Sequence, residues 1–421
     1  MIIQICVHCI LIQQYVMGDK LAAPKANLDS PSTSREPLSN PANEYAAWKD
    51  PRCPIDLRER AELYANKQCN LIMSEHKYDP RPDKIQFPQL AYTCAGSTIT
   101  FIAIGNTGIP KSREPHPIHQ QIGTDVVNVI KERQAQFAVY LGNTFNDGVK
   151  DVDDTRWETE WAERFEVEQL DIPFFAVNGN CEYKKNYKKN VTATGCYSEQ
   201  GRHKKYWILP DSVYSLNVGT IRGNLQSAFR MFFIDTELSR REYTNHNGQA
   251  DDDTLNMKGI SIEEYRKHRM IFLVGHRPIH STLEVTPEAS LHNRRTLEME
   301  TIRLSDMRYD TYISGHVPGM EYIQDDSFRD YFGIGGGGGE PLSKQSLTKK
   351  TMHREAKAEI SFGFAVFQYD YAKETEEVTY YYYEKRNGAY TLRERPSVIK
   401  KCNIQDAIRL RRQAEDHRIK N

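Results

Sequence analysis

Nowhere in its 421 residues does this chain string together the ~20 apolar residues that a helix needs to cross a bilayer. No helical membrane span is therefore expected within them. Nor is there an excess of either charge. Its 56 Lys and Arg balance 57 Asp and Glu, for a net charge of −1, which gives no reason to expect nucleic acid or an anionic membrane surface as a partner. The eight cysteines, at positions 6, 9, 53, 69, 94, 181, 196 and 402, include no two Cys-x-x-Cys pairs standing together, so a structural zinc site is not indicated. No internal repeat is visible. The run Gly335 to Gly339 lacks the Lys and Ser/Thr of a phosphate-binding P-loop and reads as a flexible strand connection. The most informative absence is local: the apolar strands of this chain do not end in carboxylates.

What is present is an ordinary soluble composition, 39% hydrophobic and 27% charged, long enough for one large domain with extensions. Residues 1–18, MIIQICVHCILIQQYVMG, hold the short apolar run of a secretory leader without its basic start, so a cleaved leader and a merely apolar start both stand as readings. Residues 19–96 read as an N-terminal extension. It holds a Pro/Ser/Asn-rich linker over 19–45, one helix over 54–72, and irregular chain over 76–93. From residue 97 to 395, apolar strands alternate with helix-like segments and then give way to antiparallel strands. Strands are expected over 98–104, 136–141, 172–177, 229–235, 270–275 and 310–315, and helices over 118–134, 155–169 and 289–306. Residues 236–268 read as loop, and 396–421 as a charged helical tail. The alternation points to an α/β fold with a largely parallel sheet covered on both faces.

In open α/β sheets, ligands bind just beyond the carboxyl ends of the strands. Five strands deliver similar loops there: Gly105-Asn106-Thr107-Gly108, Gly142-Asn143-Thr144-Phe145-Asn146, Asn178-Gly179-Asn180-Cys181-Glu182, Gly275-His276-Arg277-Pro278 and Gly315-His316-Val317-Pro318-Gly319. Each strand stops at or beside a glycine with Asn or His next to it. One such loop would be an ordinary turn, since Asn and Gly favour turns. Five in order describe a converging polar site.

In order and spacing these loops resemble the motifs GDxG, GDNFY, GNHD, GHxP and GHDH of the calcineurin-like metallophosphoesterases, specifically the purple (tartrate-resistant) acid phosphatases. The resemblance covers roughly residues 97–395 and includes GVKDVDDTRWETEWAERF and GHRPIHS. Within the family, the Gly-Val-Lys-Asp run and the stretch GHVPGME are similar to the glideosome-associated phosphatase-like proteins of apicomplexan parasites. Those proteins carry a C-terminal membrane helix that these 421 residues do not contain. The fold that the resemblance implies is a four-layer α/β/β/α sandwich of two mixed sheets flanked by helices.

The resemblance also implies a site with one ferric and one divalent ion, and the departures fall unevenly on the two. The ferric ligands would stand at Asn106, Asn143, Asn146 and Pro318, and none is the expected residue. The divalent ligands would be Asn143, Asn180, His276 and His316, of which the last three are the expected types. Cys181 stands where the family has a histidine that assists phosphate binding or protonation of the leaving group. Two carboxylates and a phenolate have become amides. Opposite unit charges ~4 Å apart are worth roughly 4 kcal/mol at an effective dielectric near 20, so ferric binding is not expected to survive. Without bound metal, water of pKa about 15.7 is a poor nucleophile at neutral pH.

The expected function is therefore non-catalytic: a pseudophosphatase serving as a scaffold or binding protein. It would have no cofactor and an unidentified protein partner, with a membrane or motor-complex scaffold as one form of that role. The alternative is a residual acid phosphatase working with one divalent ion, zinc, manganese or iron, on Asn180, His276 and His316. Plain turn formation remains a simpler reading of Asn106 and Asn143. If a leader sends the chain into the secretory pathway, the single sequon Asn190-Val191-Thr192 is a glycosylation candidate and Cys181–Cys196 a disulfide candidate across a surface loop. His280 is a solvent-exposed or packed histidine beside GHRP, and Tyr380 to Tyr383 fit a β-strand.

Overall fold

In the computed structural model, the residues described are 62–73, 88–109, 117–183, 187–220, 226–237, 270–283, 309–325, 329–339, 353–359, 361–370, 373 and 375–401. The first strands are β1 Glu62–Ala65, β2 Cys69–Met73, β3 Gln89–Cys94, β4 Thr98–Ile104, β5 Phe137–Tyr140, β6 Phe174–Ala176 and β7 Trp207–Ile208. The middle ones are β8 Val213–Thr220, β9 Gln226–Ile234, β10 Ile271–Gly275, β11 Thr311–Ser314 and β12 Met320–Asp325. The last are β13 Asp330–Ile334, β14 His353–Glu359, β15 Gly363–Asp370, β16 Thr375–Arg386 and β17 Ala389–Lys401. The helices are α1 Ile118–Arg133, a π-helical segment Trp157–Ala162, α2 Val167–Leu170 and α3 Tyr187–Gln200.

Among the described residues the strands form two mixed sheets. Ten are ordered β1-β2-β3-β8-β9-β10-β11-β13-β12-β14, and seven are ordered β17-β16-β15-β4-β5-β6-β7. In the smaller sheet β4, β5, β6 and β7 run parallel, and β15 joins β4 antiparallel. In the larger one β9, β10, β11 and β13 are parallel. The parallel strands are buried on both faces, as their unbroken apolar runs require. On one face Phe101 of β4 meets Phe229 and Phe272 of the other sheet, with ring centres 6.1 and 5.9 Å away, and Phe175 meets Phe233 at 6.0 Å. On the opposite face Tyr140 packs on Phe165, and Phe174 on Trp161 of the π-helical segment. The pleat thus sends alternate aromatics to the sheet–sheet core and to the helical layer. Helix α1 buries Ile122, Val126 and Ile130, the face its sequence period marks.

Four expectations are corrected. The helix over 54–72 is instead, where described, the β1–β2 hairpin. Asn66 Oδ1 accepts from the backbone N–H of Gln68 and Cys69, at 2.9 and 2.7 Å, and so reverses the chain in mid-segment. Irregular chain over 76–93 gives way to β3 from Gln89, and β1–β3 belong to the ten-stranded sheet. The charged tail does not begin as helix at 396, because β17 continues paired with β16 as far as Lys401. Pro396 does not end the strand. It sits on the edge strand opposite Thr379, beside a bulge, where proline's missing N–H costs little. Lastly, the segment between Cys181 and Cys196 is not a loop, since α3 fills Tyr187–Gln200. The helix expected at 289–306 and the loop at 238–268 lie outside the described residues.

The glycine run is also not a flexible connection. Gly335 to Gly339 are buried. A Cβ on Gly337 would stand 2.3 Å from the carbonyl oxygen of Gly105, and one on Gly339 2.3 Å from that of Gly108. Both glycines donate hydrogen bonds to the first strand-end loop, to Gly105 and Asn106 oxygens at 2.9 Å each. Glycine is required because two backbones touch there.

Candidate functional site

Parallel pairing puts the carboxyl ends of β4, β5 and β6 side by side, and those of β9, β10 and β11 likewise. The loops that follow meet in one polar cluster. Asn180 Oδ1 lies 3.0 Å from His276 Nε2 and 3.2 Å from His316 Nδ1, and the two histidine nitrogens are 3.2 Å apart. Asn143 Nδ2 donates to Asn180 Oδ1 at 3.1 Å, while Asn143 Oδ1 accepts the Cys181 backbone N–H at 2.9 Å. Asn106 Nδ2 donates to the His316 carbonyl at 2.8 Å, and Asn106 Oδ1 accepts the His316 N–H at 3.2 Å. Three of these residues have left-handed backbones: Asn106 at φ 59°, Asn143 at φ 54° and His316 at φ 66°. Asn, Asp and His are the non-glycine residues that tolerate this region best, so Asn106 and Asn143 serve as turn formers and as site residues at once.

His276 is fully buried, and burial lowers its pKa to about 4, so the ring is neutral. Its Nδ1 donates to the Leu141 carbonyl at 2.7 Å, which leaves the Nε2 lone pair facing the cluster. Beneath it, Arg277 and Glu237 form a buried ion pair, Nε to Oε1 at 2.5 Å and Nη2 to Oε2 at 3.1 Å. Arg277 Nη1 also donates to His316 Nε2 at 3.1 Å. Two more buried carboxylates stand nearby. Glu182 accepts the backbone N–H groups of Asn143, Phe145 and Gly179, at 3.0, 3.1 and 2.8 Å, and ties the second loop to the third. Burial raises its pKa to about 7 against the pull of those donors. Asp235, raised to about 7 by burial, accepts from Tyr183 at 2.6 Å and Asn178 at 3.3 Å. Arg164, buried and lowered to about 10, donates to the carbonyls of Thr107, His119 and Gly337, clamping the first loop to α1 and the glycine run.

The other expected positions fall as follows. Asn146 is buried where the first two loops touch, its backbone nitrogen 2.3 Å from where a Cβ on Gly108 would be. Pro318 is buried two residues past His316. Cys181 is buried and forms no disulfide, whereas Cys196 is disulfide-bonded, so the expected pair does not form. Its premise was a loop joining them, and α3 takes that loop's place. The described disulfide is Cys69–Cys94, between directly paired residues of β2 and β3. Asn190 lies in the first turn of α3. His280 is partly buried, its ring edge-on to Tyr331 at 4.6 Å. Tyr380 to Tyr383 lie on β16 as expected. Sequence reading gave no role to Arg277, Glu182 or the sixth loop, Asp235-Thr236-Glu237 after β9. The signal was there: a buried apolar strand ending in Asp-Thr-Glu.

Residues 120–320 match the calcineurin-like phosphoesterase family model. The chain carries a calcineurin-like phosphoesterase domain. It is 25% identical over 264 residues to rat tartrate-resistant acid phosphatase type 5, covering 59% of this chain and 76% of that protein. It is 27% identical over 223 residues to the Plasmodium falciparum glideosome-associated protein 50, covering 47% of this chain and 54% of that one. A solved structure described as GAP50, the anchor in the inner membrane complex of Plasmodium, superposes with a TM-score of 0.53 at 21% identity, over 75% of this chain and 95% of that one. The two mixed sheets described above are those of the metallophosphoesterase fold.

The ferric half of a phosphoesterase centre does not fit these residues. Both ends of the Asn106 amide are held by the His316 backbone, and both ends of the Asn143 amide by Cys181 and Asn180. The divalent half fits in spacing only. Three donors each roughly 2.1 Å from one ion at angles of 90–109° stand about 3.0–3.4 Å apart, and Asn180, His276 and His316 stand 3.0–3.2 Å apart. Yet none of the three is an anion. Among the described residues, no group of three or more His, Cys, Asp or Glu has metal-holding geometry.

Proposed function

We propose that this protein is a catalytically impaired phosphoesterase, a pseudophosphatase that works as a scaffold or binding protein. The carrying observation is the hydrogen bond from Asn143 Nδ2 to Asn180 Oδ1. A carboxylate at 143 could not donate it. The amide substitutions therefore do more than remove charge: they supply protons that hold the loops together where family members use metal. The fold survives, and the electrophile and activated water of the family's chemistry have no support. The likeness to a protein described as an anchor in a membrane complex favours a role in holding partners. No described helix is long and apolar enough to cross a membrane. The Cys69–Cys94 disulfide favours an oxidising compartment, and with it the secretory pathway.

A second reading, a residual phosphomonoesterase with one zinc, manganese or iron ion, draws support from the spacing of Asn180, His276 and His316. Elemental analysis and p-nitrophenyl phosphate hydrolysis between pH 4 and 8, on the same sample, separate the two. Less than a tenth of an equivalent of metal and no turnover is the expected result. One equivalent of metal with turnover that His276→Ala and His316→Ala abolish would overturn the proposal.

A further inference from the structure

Arg277 follows a histidine of the cluster in sequence, and its charge is spent inside the protein. Its side chain is 5% exposed and that of Glu237 is 0% exposed. The guanidinium sets Nε and Nη2 on the two Glu237 oxygens and Nη1 on His316 Nε2. A guanidinium only donates, so His316 Nε2 is the acceptor and the neutral ring carries its proton on Nδ1. Nδ1 is the atom that faces Asn180 Oδ1 and His276 Nε2. His276, donating from Nδ1 to Leu141, presents a lone pair. One histidine thus offers a proton where the other offers electrons, and the His316 Nδ1 proton serves two edges of the triangle, while the third, Asn180 Oδ1 to His276 Nε2 at 3.0 Å, sets two acceptors side by side. A metal ion there would need the His316 proton moved from Nδ1 and the Arg277 bond to Nε2 broken, because a ring that coordinates through Nδ1 carries its proton on Nε2, facing the guanidinium N–H.

We infer that Arg277, oriented by Glu237, fixes His316 as the Nδ1–H tautomer and so holds the Asn180–His276–His316 triad in a state that excludes divalent metal. This rests on the non-catalytic reading above and gives it a cause: the triad keeps its spacing, and a proton on His316 Nδ1 stands where the ion would bind.

The test is zinc binding to the full chain by calorimetry, with cobalt(II) absorption as a second probe. The double variant Arg277→Gln/Glu237→Gln removes both charges together, so neither is left buried alone. It should bind zinc at least tenfold more tightly than wild type, and lose that binding when His276→Ala is added. Arg277→Lys keeps the charge and should stay within threefold of wild type. Equal zinc affinity in wild type and the double variant overturns the inference, as does Arg277→Lys binding as tightly as the double variant. A measurement on the wild type does not depend on any variant folding: long-range 15N–1H correlation should find His316 as the Nδ1–H tautomer, and the Nε2–H form overturns the inference. Hydrolysis of p-nitrophenyl phosphate by the wild type together with the tenfold difference would defeat the proposed function alone. Hydrolysis with no such difference would defeat both.

Discussion

Replacing Glu182 with glutamine should alter stability by an amount that depends on pH. Glu182 Oε2 accepts from Asn143 and Gly179, and Oε1 accepts from Phe145. Glutamine can keep two of these bonds with its oxygen, but its NH2 then meets the third N–H, leaving a buried donor unmatched at a cost of roughly 1–3 kcal/mol at every pH. The wild type carries a pH-dependent term of its own. Its carboxyl has a folded pKa of about 7 against an ordinary 4.5. A carboxyl raised in the folded state stabilises fully below pH 4.5, and that stability is lost as pH rises through about 7. A gap of that size is worth roughly 3 kcal/mol at about 1.36 kcal/mol per unit. The variant should therefore be the less stable protein near pH 4.5, and the difference should shrink by roughly 3 kcal/mol, to near zero or reversed, by pH 8. Asp235, also raised to about 7, titrates in both proteins and cancels. Urea unfolding of both proteins across this range reads the difference directly. A gap that stays constant, or widens with pH, would mean that the three N–H donors outweigh burial and keep Glu182 ionised throughout, refuting the argument.

Gly337→Ala and Gly339→Ala each drive a Cβ to 2.3 Å from a backbone oxygen and should cost roughly 2–3 kcal/mol or more in urea melts. Gly195→Ala, on α3 with nothing within 4 Å, should instead gain roughly 0.5–1 kcal/mol. Breaking the Cys69–Cys94 link by double alanine substitution opens a loop of 25 residues and should lower stability by roughly 3–4 kcal/mol on the chain-entropy account, measured by denaturant midpoint. Asn143→Asp turns a donor into an anion 3.1 Å from Asn180 Oδ1, and should cost roughly 1–3 kcal/mol without metal. Zinc should then raise the melting temperature of that variant more than that of wild type.

The parallel strands and α1 were legible because burial imposes a strong pattern on them: unbroken apolar runs for strands covered on both faces, and Ile122, Val126 and Ile130 at helical spacing for α1. The convergence of Asn180, His276 and His316 was legible because parallel strands put their carboxyl ends together. What escaped was set by contacts distant in sequence. Leu63, Tyr64 and Leu71 suit a helix as well as a hairpin, and the decision lies in the turn at Asn66 and in the pairing of β2 with β3. The glycine run reads as slack until the first loop is packed against it. Arg277 occupies a variable position of its motif, and nothing in GHRP announces that its partner is Glu237, 40 residues earlier.

The order in which the chain is made gives the smaller sheet a further property. Ala103 of β4 pairs with Ala365 of β15, and Asn106 is bonded to a residue 210 positions away. A ribosome adding 5–20 residues per second needs on the order of 13–50 s to make the stretch between β4 and its antiparallel neighbour. For that time β4, with its TITFIAI run, is an apolar strand with one edge lacking its final partner. The cluster of amides and histidines needs the chain only as far as His316, and so its residues are all made before this edge finds its partner. The edge of β4 is therefore among the last features of the smaller sheet to be covered, closed only when residues up to 370 are available to pair.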